Sequence, residues 1–194
     1  MLFAAVLAGG RSSRMGQDKA GLQVAGQSLL DRALTLLAAA GADKVLIGGQ
    51  VQGYEAVPDR VPHSGPPGGL YSILHHIRQQ SGLDDSPLLL IPVDMPLLTP
   101  QVLVKLIQNL GKAQAIRYEG EVFPCIFRAS SGLYRHLEEL FTDGSGPGGD
   151  RSIKALLRHE NARSIPIPAV DVRAFENINT PADWAALVKV ENQG

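Results

Sequence analysis

Three short runs in this chain are apolar almost without a break: residues 2–7 ("LFAAVL"), 44–49 ("KVLIGG") and 87–94 ("PLLLIPVD"). A strand with one wet face alternates polar and apolar residues, so runs like these predict strands covered on both faces. Such strands belong to parallel sheets, and parallel neighbours need a crossover. The stretch between the first two runs supplies one. Leu29, Leu30, Ala33, Leu36, Leu37 and Ala40 recur at helical spacing, with Ser28 and Asp31 marking the start and Gly41 the stop.

The pattern then repeats. "SGPPGGL" leads into a helix predicted from Gly69 to Gln80, and Thr99-Pro100 opens another, with threonine as N-cap and proline at the first helical position. "AQAIRYEGEVFPCIFR" holds two β-rich runs joined by Glu-Gly, which predicts a small antiparallel excursion. Residues 142–151, "TDGSGPGGDR", read as a mobile loop before a helix over 152–159, and "NINTPADWAALVKV" gives a last helix begun at Thr-Pro. The expected fold is α/β: a three-layer, Rossmann-like, mostly parallel sheet with helices on both faces. With no internal repeat or boundary, one domain over residues 1–194 is expected.

The formal net charge is −1, so no overall field draws nucleic acid or an anionic membrane, and neither is expected as a partner. Cys125 is the only cysteine, which excludes an internal disulfide framework and suits a reducing compartment. The N-terminus lacks a basic leader, and no apolar run approaches the roughly 20 residues of a membrane helix. A cytoplasmic location is expected.

Against this neutral background, "LAGGRSSRMGQDKAGL" at residues 7–22 concentrates two arginines and a lysine directly after a strand and a Gly-Gly turn. Glycines there let backbone approach a ligand, and the carboxyl end of a parallel strand is where open α/β sheets bind ligands. A dinucleotide fingerprint is excluded, because "GGRSSR" has adjacent glycines followed by bulky residues. A Walker loop is excluded too: five residues separate Gly10 from Gly16, and no hydroxyl residue follows Lys19. What remains is a long loop whose Arg11, Arg14 and Lys19 can wrap a polyphosphate, arginine by forked contacts and lysine as a point charge. A solvated basic loop is the bland alternative.

The motif L-A-G-G-x-S-x-R-M-G-x-D-K resembles the signature of nucleotidyltransferases with a glycosyltransferase-A-like fold, and more narrowly the molybdenum cofactor guanylyltransferases. "DRVPHSGPPGGL", "IPVDMP" and "NINTP" resemble that family's later landmarks in order and spacing, so the likeness spans residues 7–181. It implies transfer of GMP from GTP to the phosphate of molybdopterin-bound molybdenum cofactor, with pyrophosphate released. It also implies a nucleotide pocket lined by the backbone amides of Leu7, Ala8, Gly9 and Gly10, with Lys19, Asp59 and Asp94 at the nucleotide. Arg14 and Lys19 would hold the phosphates, Asp94 would anchor Mg2+ or Mn2+, and Asn177 and Asn179 would lie at the molybdopterin end of the cleft. A handover partner among molybdoenzymes or their chaperones is implied as well. A cytidylyl- or sugar-nucleotidyltransferase on the same scaffold, and a non-catalytic carrier of molybdopterin or nucleotide, remain open.

Position alone also speaks for Asp94. It ends an apolar run, and Pro96 turns the chain out of the strand, which sets a carboxylate at the sheet's carboxyl edge. Magnesium asks for one or two protein carboxylates beside substrate phosphates. Asp59, in "VPDRVP", reads equally well as a polar turn residue, and Asn177 and Asn179 as capping residues. The family often has an asparagine where this chain has Gly48, so base or ribose contacts there must come from backbone or from elsewhere. His63, the adjacent His75 and His76, Cys125 and Trp184 are read as surface or packing residues.

Overall fold

The computed structural model describes residues 1–9, 19–142 and 150–191. Gly10, Arg11, Arg14 and the centre of the loop expected at 142–151 lie outside the described residues, as does the side chain of Lys19.

The elements run in the order β1 (Phe3–Leu7), a 3-10 turn at Lys19–Gly21, β2 (Gln23–Val24), β3 (Gln27–Ser28), α1 (Leu29–Ala39), β4 (Lys44–Gly48), α2 (Gly65–Ser81) and β5 (Pro87–Pro92). There follow α3 (Pro100–Asn109), β6 (Ala115–Tyr118), β7 (Cys125–Arg128), α4 (Ser131–Thr142), α5 (Ile153–His159), β8 (Arg163–Ile165), a 3-10 helix at Ala169–Phe175 and α6 (Pro181–Glu191). Six strands form one sheet in the order β4-β1-β5-β7-β6-β8, and β2 with β3 makes a separate two-stranded ribbon. β4, β1 and β5 are mutually parallel, β7 runs against both neighbours, and β8 is parallel to β6. The expected three layers and the antiparallel excursion are both present.

The unbroken apolar runs are explained by burial on two sides. Along β1, Ala4 and Val6 face a core shared with α1 and α3, while Phe3 and Ala5 face a second core shared with α2, α4 and α5. Because both faces are covered, each strand residue is lost to solvent, and full burial of one Leu or Ile side chain contributes about 1.5–3 kcal/mol. Ser28 caps α1, accepting from the Asp31 N–H at 3.0 Å, and Thr99 caps α3 ahead of Pro100.

Three expectations change. α2 starts at Gly65 rather than Gly69, so the Pro-Gly segment taken for a turn is the helix's first turn. Pro66 and Pro67 stand where a helix needs no N–H, and Gly68 is required because a Cβ there would collide with Ser64 Oγ. Helix α4 had not been expected; Leu133 and Leu137 bury one side of it, and Ser130 accepts from the Leu133 N–H at 3.0 Å. The β2–β3 ribbon and β8 had not been expected either, being runs of two or three residues.

Candidate active site

The carboxyl ends of β4, β1 and β5 lie side by side, and their register fixes what can meet there. Leu7 stands opposite Gly48 on one side and Pro92 on the other. Beyond the ladder, the Leu7 carbonyl accepts from the Val93 N–H at 3.3 Å, so Ala8, Gly9 and Asp94 emerge at one edge of the sheet.

On the β4 side the edge is a seam of backbone. Ala8 N–H and Gly9 N–H both donate to the Gly48 carbonyl, at 3.0 and 3.1 Å. A Cβ on Gly49, whose φ is +110°, would lie 2.8 Å from both Cα and N of Gly9, so two main chains touch where residue 49 can carry no side chain. Val57 closes the turn, its N–H donating to the Ile47 carbonyl at 2.7 Å and its carbonyl accepting from the Gly49 N–H at 2.9 Å.

The amides of Ala8 and Gly9 are thus engaged with the Gly48 carbonyl. A Cβ on Gly48 would point at Leu7 Cδ2, 3.3 Å away, and at Ile73. The Leu7 side chain is likewise core, filling space against Gly48 and Gly69.

Asp59 lies at the same seam: its Oδ2 would stand 3.4 Å from a Cβ on Gly9. One side of it remains open to solvent. Partial loss of hydration on the other raises its pKa above the ordinary aspartate value.

On the β5 side the edge is made of side chains held by a backbone tie. The chain leaves β5 at Pro92 and turns through the half-buried Asp94. The Asp94 carbonyl accepts from the Ile178 N–H at 2.8 Å. That one bond sets Asn177 and Asn179 on either side of Asp94, across more than 80 residues of chain. Ile178 is buried with Val24 and Leu187, and Trp184 packs against the same cluster, so α6 clamps this segment to the β2–β3 ribbon. The start of α6 is fixed by Asp183, whose Oδ2 accepts from the N–H groups of Asn179 and Thr180 at 3.0 and 2.8 Å. The asparagine segment and α6 thus form a unit anchored at Asp94, which sequence spacing could not disclose.

Among the described residues no group of three or more His, Cys, Asp and Glu side chains could hold a metal by itself. A cation here would rest on Asp94 and on oxygens that a substrate brings, which is the donor set magnesium accepts. Cys125 is fully buried and its thiol pKa is pushed up by burial, so it is no nucleophile. His75 accepts or donates at Tyr134 Oη, 2.9 Å away, in a packing role. No helix among the described residues is long and apolar enough to cross a membrane.

Residues 4–164 match the model of the MobA-like NTP transferase domain. A molybdenum cofactor guanylyltransferase of Xanthomonas euvesicatoria is 36% identical, with 94% of this chain and 92% of that protein aligned. One of Rhizobium meliloti is 32% identical over 93% and 87% of the two chains. The crystal structure of molybdopterin-guanine dinucleotide biosynthesis protein A from Archaeoglobus fulgidus superposes with a TM-score of 0.73 at 21% identity over 100% of both chains, and so shares the fold. Likeness on this scale, in sequence and across the whole architecture, makes this chain a member of the MobA-like NTP transferase family.

Proposed function

We propose that this protein transfers GMP from GTP to the phosphate of molybdopterin-bound molybdenum cofactor, giving the guanine dinucleotide cofactor and pyrophosphate. The relatives' names support the reaction. The observation that carries it here is the tie between Asp94 and Ile178, which brings an acidic residue at the edge next to the first loop against a segment bearing two asparagines.

An oxygen of the acceptor phosphate attacks the α-phosphorus of GTP. The bond from that phosphorus to the bridging oxygen breaks, and its electron pair leaves with pyrophosphate. The acceptor phosphate is already ionised, so no strong general base is needed, and rate comes from positioning and charge neutralisation. Asp59 and the Gly9–Gly49 seam bound the nucleoside side. Asn177 and Asn179 orient the acceptor, and Arg14 and Lys19 from the first loop meet the negative charge that grows on the leaving group. Asp94 would hold Mg2+ or Mn2+, which supplies charge neutralisation at the phosphate oxygens when bound. We place the reaction in the cytoplasm, with the product handed to a molybdoenzyme or its chaperone.

The test is a panel of GTP, CTP and ATP, with and without Mg2+ and molybdopterin, read by pyrophosphate release. Release with GTP alone, dependent on both additions, is expected. Release with CTP instead would assign the cytidylyl reaction, and tight binding without release would make the protein a carrier.

A further inference from the structure

The segment that leads from Lys19 into α1 and the connection that brings Asp59 to Gly9 are separate in the chain, yet both end at one carboxylate. Asp31, in the first turn of α1, accepts from the Tyr54 hydroxyl through Oδ1 at 2.7 Å and from the Ser28 hydroxyl through Oδ2 at 2.7 Å. Ser28 closes the β2–β3 ribbon, which follows directly on the Lys19–Gly21 turn, and the Leu29 N–H reinforces that junction by donating to the Leu22 carbonyl at 2.9 Å. Tyr54 lies midway between Gly49 and Asp59, in the connection whose near end touches Gly9.

Helix capping accounts for the Ser28 arm: the Asp31 N–H donates to Ser28 Oγ and the Asp31 carboxylate accepts from Ser28 in return, a reciprocal capping box. It does not account for the other arm, because a tyrosine brought from 23 residues away adds nothing to a cap. Hydroxyl-to-carboxylate bonds of this length are among the stronger ones, and a negative charge is favoured at a helix N-terminus. The carboxylate is therefore a stable place to fasten two connections.

We propose that Asp31 is a positioning residue that fastens the lysine-bearing segment and the Asp59 segment to a common point, and so sets the width of the nucleotide pocket between them. This rests on the reading of the site as a GTP pocket. Tyr54 is one arm of the fastening and Ser28 the other.

Two measurements on the full-length chain test it. In Tyr54→Phe and Asp31→Ala, amide hydrogen exchange should quicken across residues 49–59; in Asp31→Ala alone it should quicken across 22–28 as well. In Tyr54→Phe, exchange within Leu29–Ala39 should stay near wild type, because the Ser28–Asp31 cap is intact. With GTP, Mg2+ and molybdopterin, Tyr54→Phe should raise KM for GTP roughly tenfold while kcat stays within about twofold. Asp31→Asn, which keeps one acceptor oxygen, should fall between wild type and Asp31→Ala. Unchanged KM in both Tyr54→Phe and Asp31→Ala, or faster exchange confined to α1, would overturn the proposal. A wild-type chain that releases no pyrophosphate would defeat the GTP reading, and the exchange pattern would still decide whether Asp31 joins the two segments.

Discussion

The two sides of the site are built on opposite plans. On the β4 side, Gly9 and Gly49 meet main chain to main chain, and shape is set by excluding side chains. On the β5 side, Asp94 offers a carboxyl side chain, and its frame is held by a backbone hydrogen bond from the Ile178 N–H. The first plan gives a wall with no room for a side chain at residue 49. The second gives a post whose chemistry can be altered while its position is kept. Loss of the post should cost catalysis without stability, and thickening the wall should cost both.

The largest effect should come from Asp94→Asn. The isostere keeps the backbone tie to Ile178, so the melting temperature should stay within a few degrees while Mg2+-dependent transfer falls by about three orders of magnitude or more. Residual activity near wild type would remove Asp94 from cation binding. Lys19→Ala is expected next, with a loss of roughly two orders of magnitude in kcat and little change in melting, measured by pyrophosphate release at saturating GTP.

Gly49→Ala tests the wall. It forces a side chain into a left-handed conformation and against Gly9, so unfolding free energy in urea should drop by about 2–3 kcal/mol and GTP affinity should fall with it. Full stability would mean the seam can open, and the contrast between the two sides would fail.

The smallest effect is expected at Asp59. A carboxyl whose folded pKa is raised favours folding below the unfolded value and disfavours it as pH climbs through the folded one. Asp59→Asn removes that disadvantage. The mutant's melting temperature should exceed wild type by a degree or two at pH 7, and the gap should shrink toward pH 4, while GTP binds more weakly. A gap that widens on acidification would show that something other than hydration acts on this group.

How much was legible follows from how local each cause is. β1, β4, β5 and the caps at Ser28 and Thr99 are written in runs of neighbouring residues, and they stand where the sequence predicts them. The first turn of α2 was misread because Pro66-Pro67-Gly68-Gly69 has loop composition, although proline is at home in a first turn and Gly68 is there for packing. Helix α4 has its signal in Leu133, Leu137 and the cap at Ser130, a short stretch between a hairpin and a glycine-rich segment. β8 is only three residues and takes its identity from pairing with β6, which no local pattern contains. At the site, Asp94 was readable from its place at a strand end. The Asp31–Tyr54 bond, the facing of Asp59 onto Gly9 and the Ile178 tie were not, since each joins segments that meet only after folding.

The Ile178 tie has a genetic consequence. Its donor belongs to the polypeptide itself, so of all replacements at that position only proline deletes it. Drift at Asn177 and Asn179 can therefore change the side chains displayed beside Asp94 without unmooring the backbone that carries it.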